Sequence, residues 1–427
     1  MKGFEKGKSK LLIFLLLLCA LAGCDKADAV NEKTEEVIEE KTEERTENVV
    51  EVEKQKEDVE ALQKIIEEQN ALGADMSTDL NNKDYTWDEN GRLTALDVSH
   101  RNLKGELSCA GLPALTALNC SGNKISSLDV SQNTELTELY CGSNEISSLD
   151  VSKNTELTKL YCGSNEISSL DVSQNTVLES LDCSGNEISS LDVSKNMVLM
   201  ELDCGYNQIS NLDVSENTAL ESLDCTKNQI SSLDVSENAA LTELDCSYNQ
   251  ISSLDASENT ALRHLNCDSN QISSLNVSQN TVLWYLYCDN NQINSLDVSQ
   301  NTALGRLYCS GNEISSLDVS ENTVLEDLHC SYNQISSLDV SQNRALKYLN
   351  CGNNQISNLD VSQNAILKEL YCMDNEISSL DVSENTVLTD LNCSGNVISS
   401  LDVSNCSLLE YFWYDDNNPD MEVIGWQ

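Results

Sequence analysis

Residues 136–156 read LTELYCGSNEISSLDVSKNTE, and the following residues, 157–177, read LTKLYCGSNEISSLDVSQNTV. The same 21-residue period continues along most of the chain, and a cysteine marks it at fourteen positions from Cys120 to Cys393. A fixed period of this length predicts a solenoid, in which each repeat forms one coil and contacts only its neighbours. Residues that recur at one position then form ladders along the solenoid. Residues that vary from coil to coil are the candidates for function.

Six apolar residues recur in each repeat at short, regular spacings, which predicts that their side chains point into the coil. In the repeat 136–156 they are Leu136, Leu139, Cys141, Ile146, Leu149 and Val151. The alternation in L-x-C and L-x-V predicts a short strand in each half, stacked into parallel sheets with strands about 4.8 Å apart. Asn144 and Asn154 fall where the chain turns. We expect both side chains to bond backbone groups that the turns leave unpaired.

The repeat L-x-x-L-x-C-x-x-N-x-I-x-x-L-x-V-x-x-N-x-x resembles the leucine-rich repeat consensus, with cysteine in one apolar position. More narrowly it resembles the bacterial 21-residue class called IRREKO-type, in which the second half of the repeat also imitates the motif. The match runs from Leu93 to about Pro419. The resemblance implies a leucine-rich repeat solenoid with short parallel strands on the concave side, short strands or turns on the convex side, and an N-terminal cap helix. The half that contains Asn144 is expected to be concave.

The sequence before the repeats predicts export. A basic start precedes an apolar run at 11–19 that is too short to span a membrane. Leu21-Ala22-Gly23-Cys24 resembles a lipobox. The resemblance implies cleavage before Cys24, a palmitate-type lipid on that cysteine, and an extracytoplasmic protein anchored to a bacterial cell membrane. An ordinary secretory signal peptide is the alternative, and it exports the chain as well.

Composition divides the chain into five predicted segments. They are a lipoprotein signal peptide (1–23), an acidic disordered tether (24–56), an N-terminal cap (57–92), the solenoid (93–408) and a C-terminal cap (409–427). The tether has too few large apolar residues to fold alone, and a helical stalk is its alternative. The cap helix is predicted from an apolar stripe, with Asp58 as its N-cap and Gly73 as its end. The stripe consists of Val59, Leu62, Ile65 and Ile66.

Aromatic residues, rare elsewhere in the chain, gather after the last repeat. They and their apolar neighbours are expected to cap the solenoid, and a docking site for a partner is the alternative. The residues are Phe412, Trp413, Tyr414, Val423, Ile424 and Trp426.

The net charge of −46 argues against nucleic-acid binding and favours cationic partners. Much of this charge lies in an aspartate ladder that contains Asp150, where neighbouring carboxylates should repel unless they are screened. A calcium-binding ladder is conceivable, although each coil repeats one carboxylate where calcium sites need several oxygen ligands. No cofactor, metal site or membrane contact beyond the lipid anchor is predicted.

The cysteine ladder is expected to be a buried seam of reduced thiols. Cysteine in an apolar position behaves as a small hydrophobe, and parallel side chains in register have poor geometry for disulfides. No C-x-x-C pair indicates a metal site. Cys109 and Cys406 lie outside the register of this ladder, and their redox state stays open.

Variation concentrates at the outward positions that flank the second leucine of each repeat. One zone is rich in aromatic, arginine and histidine side chains, which are typical of protein or glycan recognition. Its residues, called the aromatic patch below, are His264, Trp284, Tyr285, Tyr287, Arg306, Tyr308, His329 and Tyr348. A second group suits a basic ligand, and it is called the acidic patch: Asp182, Asp203, Asp224 and Asp245.

No catalytic constellation is visible, so an enzyme is not predicted. Serines repeat as ladders without a paired base, and no phosphate loop appears. The sequence therefore predicts a surface lipoprotein that binds a protein or glycan through the concave face of the solenoid. The resemblance to bacterial proteins such as internalins implies a role in adhesion or interaction. A passive spacer or surface-coat element without a specific ligand is the alternative.

Overall fold

The structure is a computed structural model that describes residues 53–414 and 421–426. The predicted signal peptide, the lipidation site Cys24 and most of the predicted tether lie outside the described residues, as does part of the predicted C-terminal cap. No helix within the described residues is both long enough and apolar enough to cross a membrane.

The described chain forms a β-solenoid with one helix near its start. Helix α1 is Lys56–Ala71. The first strands are β1 Tyr85–Trp87, β2 Leu93–Asp97, β3 Lys104–Ser108, β4 Ala117–Asn119, β5 Lys124–Asp129, β6 Glu138–Tyr140, β7 Lys159–Tyr161, β8 Ser180–Asp182, β9 Glu201–Asp203, β10 Ser222–Asp224, β11 Glu243–Asp245 and β12 Leu254–Asp255. The others are β13 His264–Asn266, β14 Leu275–Asn276, β15 Tyr285–Tyr287, β16 Arg306–Tyr308, β17 Asp327–His329, β18 Tyr348–Asn350, β19 Glu369–Tyr371, β20 Asp390–Asn392, β21 Ser400–Asp402, β22 Tyr411–Trp413 and β23 Glu422–Ile424.

The first half of each coil contributes one strand to a 17-stranded sheet. Strand β1 joins it antiparallel to β2, and the other neighbouring strands are parallel and in register. Leu139 of β6, for example, pairs with Leu160 of β7, 21 residues later. Each short strand turns its central leucine inward and its two flanking residues outward, as a pleated strand requires. The predicted stack of parallel strands is confirmed for this half of the coil.

Within the residues that the structure describes, the second half of most coils consists of turns, with strands only in the pairs β3–β5, β12–β14 and β21–β23. In a typical coil the backbone N–H of Asn154 donates to the carbonyl of Val151, and the N–H of Leu157 donates to that of Asn154. These bonds close two successive turns within the coil. Turns therefore take the place of the strand that the L-x-V alternation alone predicts, which agrees with the short strands or turns that the resemblance implies for this side.

The predicted inward residues are buried. All sixteen cysteines within the described residues are buried and free of disulfides, and burial raises the pKa of the Cys109 thiol to about 12. Cys109 occupies the ladder position of Val130, and Cys406 occupies that of Asn385. The Cys406 thiol even approaches the carbonyl of Val382 at 3.6 Å. The two cysteines outside the cysteine register therefore belong to other ladders.

Two asparagine ladders connect neighbouring coils by hydrogen bonds from side chains to backbone groups, as expected for asparagines at the turns. In the first, Asn144 Nδ2 donates to the carbonyls of Cys120 and Cys141, each at 3.0 Å, and its Oδ1 accepts from the N–H of Ile125 at 3.0 Å. In the second, Asn154 is fully buried, and its Nδ2 donates to backbone carbonyls of the preceding coil. The acceptors are Val130 at 3.0 Å and Asn133 at 2.8 Å.

The aspartate ladder is stabilised by its own turn. Asp150 Oδ1 accepts the backbone N–H of Ser152 at 2.9 Å, and the hydrogen bonds from Ser152 lower the pKa of Asp150. The same contact recurs in the other coils and keeps the carboxylates ionised despite their neighbours. Within 53–414 and 421–426, no group of three or more histidine, cysteine or acidic side chains is arranged to hold a metal ion.

The N-terminal helix α1 packs on the first coil through Leu62, Ile65 and Ile66. Its last helical residue is Ala71, and Gly73 terminates it, as predicted, by adopting a φ of +91°. The prediction that Asp58 caps this helix is wrong. Asp58 is buried inside the first turn, where it accepts hydrogen bonds from Arg92 Nε at 2.8 Å and from the backbone N–H of Leu93 at 2.9 Å. An ion pair with the first coil has replaced the local capping role.

The apolar C-terminal residues split into two sets. The Phe412 ring lies 4.7 Å from that of Tyr414 and 5.4 Å from that of Trp426, measured between centroids, and Phe412 packs against the core. Trp413 and Ile424 remain 44% and 43% exposed. These residues therefore cover part of the last coil and leave apolar surface in contact with solvent.

Candidate functional site

The aromatic patch lies on the outer face of the 17-stranded sheet, on strands β13 and β15–β18 and on the residue just before β15. Its members are brought together by strand register. Tyr285 pairs with His264 on one side and with Arg306 on the other. Tyr287 pairs with Tyr308, which in turn pairs with His329.

The rings of the patch form a continuous contact across four coils. The His264 ring lies 5.4 Å from that of Tyr285 and 5.5 Å from that of Tyr287, between centroids. The Tyr287 and Tyr308 rings meet edge to face at 4.7 Å, and His329 stacks on Tyr308 at 4.3 Å with the planes 3° apart. Such contacts add to the energy of burial and hold the rings in fixed orientations.

Arg306 and Trp284 extend the patch at its edge. The guanidinium of Arg306 lies 5.4 Å from the centroid of the Tyr285 ring, within the range of a cation–π contact. Trp284 precedes β15 and is 40% exposed. Its indole lies against Gly305 of the next coil, where an added Cβ would fall 2.6 Å from Trp284 Cε2.

Gly305 was missed by the sequence reasoning, although a signal was present. Coils before and after it carry threonine, glutamate, methionine, arginine or lysine at this position, and the coil that follows Trp284 carries glycine. The missing side chain provides the space that the indole occupies. Gly305 therefore belongs to the patch as the residue that positions Trp284.

A shallow groove of about 430 Å³ runs beside the indole. Its walls combine apolar and charged side chains: Glu243, Arg263, His264, Val282, Trp284, Tyr285 and Ala303. The Nε2 atom of His264 is buried and has no hydrogen-bond partner within the described residues. The groove thus offers an aromatic wall, both signs of charge and an unpaired ring nitrogen.

Asp327, also missed, supports the far side of the patch. It is buried, its Oδ2 accepts from the hydroxyl of Tyr308 at 2.6 Å, and its Oδ1 lies 3.1 Å from His329 Nε2. Burial alone would raise the pKa of Asp327, but the hydrogen bonds from His329 and Tyr308 outweigh it and the pKa falls below its usual range. Asp327 therefore holds both stacked rings as an anion. Tyr348 pairs with Asp327 in register, and within the described residues the ring contacts of the patch end at His329.

The acidic patch lies on strands β8–β11 of the same face, with its four carboxylates in register. Burial is the main cause that raises the pKa of Asp224 to about 6, and neighbouring aspartates add to it. Burial also raises the pKa of Asp203. Negative charge is thus concentrated at a place on the sheet where burial and like charges disfavour ionised carboxylates. A cation bound there would stabilise the ionised form.

Comparisons with known proteins agree with this architecture. A sequence profile described as leucine rich repeats (2 copies) matches residues 240–280 and 323–364. The functional domain of InlJ from Listeria monocytogenes, which includes a cysteine ladder, is 40% identical, with 74% of this chain and 70% of that chain covered and a TM-score of 0.72. The chain belongs to the leucine-rich repeat family. A search of curated protein sequences finds no match.

Two further leucine-rich repeat structures share the fold. A protein from Leptospira interrogans is 23% identical over 77% of this chain and 95% of that one, with a TM-score of 0.63. The ectodomain of the Arabidopsis thaliana receptor kinase GASSHO1/SCHENGEN3, solved in complex with CASPARIAN STRIP INTEGRITY FACTOR 2, is 19% identical over 77% of this chain and 48% of that one, with a TM-score of 0.65.

Proposed function

We propose that this protein is an exported, lipid-anchored leucine-rich repeat protein that binds a protein ligand through the outer face of its 17-stranded sheet. The aromatic patch forms the centre of the binding surface, and the acidic patch guides a basic region of the ligand. The observation that carries the proposal is the continuous, partly exposed ring contact from His264 to His329.

The fold does not require these rings. The positions of Tyr287 and Tyr308 are filled by aspartate in Asp203 and Asp224 and by asparagine in Asn266, and those coils have the same strand register. Packing of the core therefore does not explain why aromatic residues gather in consecutive coils. Aromatic and arginine side chains that are held rigid at a surface are the usual centres of protein interfaces, because they bury large areas at low entropic cost.

Charge supports a ligand with basic groups. The net charge of −46 draws a cationic partner toward the chain and raises the rate of encounter. Leucine-rich repeat solenoids commonly mediate protein interactions and adhesion, and the plant receptor ectodomain was solved with a protein factor bound. Both points favour a protein ligand for the aromatic patch.

The lipid anchor is tested independently of the ligand. Metabolic labelling with a palmitate analogue should mark the wild-type chain in a bacterial host and should not mark the Cys24→Ser variant. A labelled Cys24→Ser variant, or an unlabelled wild type in a host that lipidates a known lipoprotein, would contradict the anchor.

Binding is tested by capture of proteins from host or community lysate on the wild-type chain and on two kinds of variant. One kind removes the rings (Trp284→Ala with Tyr287→Ala). The other keeps Trp284 but displaces it, by placing at Gly305 the residue that the next coil carries there (Gly305→Glu). Both should lose the same ligands. The matched control Tyr332→Ala removes a tyrosine that is 62% exposed and lies outside the patch, and it should keep them. Identical capture by all four chains would favour a passive spacer.

A further inference from the structure

Bulky residues occupy a strained turn position in three consecutive coils. The turn after each sheet strand places one residue in the left-handed region, and ten other coils use Gly, Ser, Asn or Asp there, as this conformation favours. Tyr206, Lys227 and Tyr248 adopt it with φ of 55°, 50° and 54°. Burial of the side chains does not compensate for the backbone strain, since Tyr206 and Tyr248 are 55% and 54% exposed. The same strain occurs singly at Tyr332, so it is the occurrence of three such residues in consecutive coils that indicates a role in function.

The three side chains form an ordered stack, called the Tyr–Lys–Tyr stack. Lys227 Nζ lies 4.4 Å from the ring centroid of Tyr206 and 5.3 Å from that of Tyr248, so the ammonium is held between both rings. The next turn positions on either side carry Gly185 and Ser269, which have no side chain or a short one. The outer faces of the two rings are therefore available as flat apolar platforms.

Hydrogen-bonding groups of the same coils lie beside the stack. The hydroxyls of Thr226 and Ser247 are 2.7 Å apart, and Ser247 donates to Asp245 Oδ1 at 2.6 Å. Asp224 accepts the backbone N–H of Thr226 at 2.8 Å and keeps its second carboxylate oxygen for another donor. The edge of the sheet thus combines aromatic platforms with carboxylate and hydroxyl groups.

We infer that the Tyr–Lys–Tyr stack, with Asp224 and Asp245, binds a neutral glycan. A sugar ring presents an apolar C–H face, which buries against an aromatic ring, and a rim of hydroxyls, which bond carboxylates, hydroxyls and ammonium groups. The two tyrosines lie two coils apart, roughly 10 Å at the strand spacing of a sheet. Because Lys227 lies between the two rings, their outer faces point away from each other, and each platform takes a separate sugar ring.

Charge distinguishes this ligand from two others. An anionic polymer is repelled by the carboxylates of the acidic patch, which share these coils. A cationic peptide is attracted by those carboxylates but meets the positive charge of Lys227 at the centre of the stack, so hexalysine is the probe that separates the two ligand classes. A neutral polyol meets neither obstacle. The site shares Asp224 and Asp245 with the acidic patch but no residue with the aromatic patch. The tyrosine variants below and the Trp284 variants above therefore test the two proposals separately.

The test measures binding of linear neutral hexasaccharides of glucose, mannose, galactose and N-acetylglucosamine to the full chain by calorimetry. A heparin hexasaccharide and hexalysine serve as charged probes. At least one neutral probe should bind, and the charged probes should bind at least tenfold more weakly. The variant Tyr206→Gly with Tyr248→Ser uses residues that neighbouring coils carry at this turn, so it should fold, and it should weaken binding at least tenfold.

The control Tyr332→Ser removes an isolated tyrosine from the same left-handed position, where φ is 53°, and it should leave the affinity unchanged. Trp284→Ala should also leave it unchanged. The inference is overturned if no neutral hexasaccharide binds, if hexalysine or heparin binds more tightly than every neutral probe, or if the double variant retains wild-type affinity.

Discussion

The two halves of each coil are joined to the next coil in different ways. In the sheet half, backbone groups of neighbouring strands bond each other, as between Leu139 and Leu160. Asn144 adds side-chain bonds to the preceding coil where the sheet strand ends. In the other half, the bonds between coils come mainly from side chains, as when Asn154 Nδ2 reaches the carbonyls of Val130 and Asn133. Backbone bonds are indifferent to the residue that carries them, whereas a side-chain bond requires one residue type.

This difference explains where the sequence is free to vary. The half that contains Asn154 repeats I-S-S-L-D-V-S with few changes, because its turns depend on asparagine and aspartate side chains. The outward residues of the sheet half change from coil to coil and include both the aromatic and the acidic patch. Because backbone hydrogen bonds join the strands of the sheet, its outward side chains can change into recognition residues without loss of the fold.

The largest expected effect comes from the inner side of the sheet half, the cysteine ladder. Burial raises the thiol pKa, to about 12 for Cys351. Below the unfolded thiol pKa of about 8.5 both states are neutral and stability is complete; above it the unfolded chain ionises first. Stability should fall by up to about 1.4 kcal/mol per pH unit for each buried thiol that unfolding exposes, so a ladder of buried thiols makes stability steeply dependent on pH.

Circular dichroism in urea at increasing pH measures this loss. It should begin near pH 9 and continue toward the raised folded pKa values, and Cys246→Ala should reduce the slope by the share of one thiol. Stability that stays constant between about pH 8 and about pH 10.5 would contradict a neutral, buried ladder.

Breaking a side-chain bond in the other half should cost less. Asn238 is fully buried, and its Nδ2 donates to the carbonyls of Val214 at 3.0 Å and Asn217 at 2.9 Å. Asn238→Ala removes one of the two hydrogen bonds that each carbonyl accepts, since the backbone N–H groups of Asn217 and Leu220 still donate to them. Losing these two buried bonds should lower the free energy of unfolding by about 2 kcal/mol. Part of the loss is offset, because the Oδ1 of Asn238 has no partner within the described residues.

Urea unfolding of Asn238→Ala is compared with that of Glu243→Ser, an outward position of β11 where the coil before carries Ser222. The control should stay within about 0.5 kcal/mol of wild type. Equal losses for the two variants would remove the distinction between the halves.

The smallest effect on stability is expected on the sheet face itself. Gly305→Glu places a side chain where the Trp284 indole lies, in a backbone position that other coils fill with glutamate. The free energy of unfolding should change by no more than about 0.5 kcal/mol, while Trp284 moves into water and its fluorescence shifts to longer wavelength. An unshifted spectrum, judged against Trp284→Phe as the reference for the other tryptophans, would show that Gly305 does not position the indole.

The fold was predictable wherever the same apolar residue recurs at the same position of every repeat. Leu139 alone is compatible with a helix or a strand, but its recurrence in every coil determines which side faces inward. In the second half, the expectation left short strands or turns open, because apolar alternation does not reveal that the N–H of Asn154 bonds the carbonyl of Val151 in its own coil. Asp58 failed because its partner, Arg92, lies 34 residues away along the chain.

The arrangement of the aromatic patch followed from the period, since positions 21 residues apart become neighbours. The same arithmetic places Asp327 beside Arg306 and Tyr348, and assigns Cys109 and Cys406 to the valine and asparagine ladders. What the period does not show is side-chain direction, and the bond from Tyr308 to Asp327 depends on it. That these residues bind a ligand stays a prediction.

The uniform register of the parallel strands also bears on how such a chain can evolve. Because consecutive coils are nearly interchangeable, unequal recombination can insert or delete a whole coil and still leave every remaining strand correctly paired. Each event would alter the distance between Trp284 and helix α1 by one strand spacing, about 4.8 Å. The distance of the recognition surface from helix α1 could thus change in discrete steps, while the side chains that form the surface stay the same.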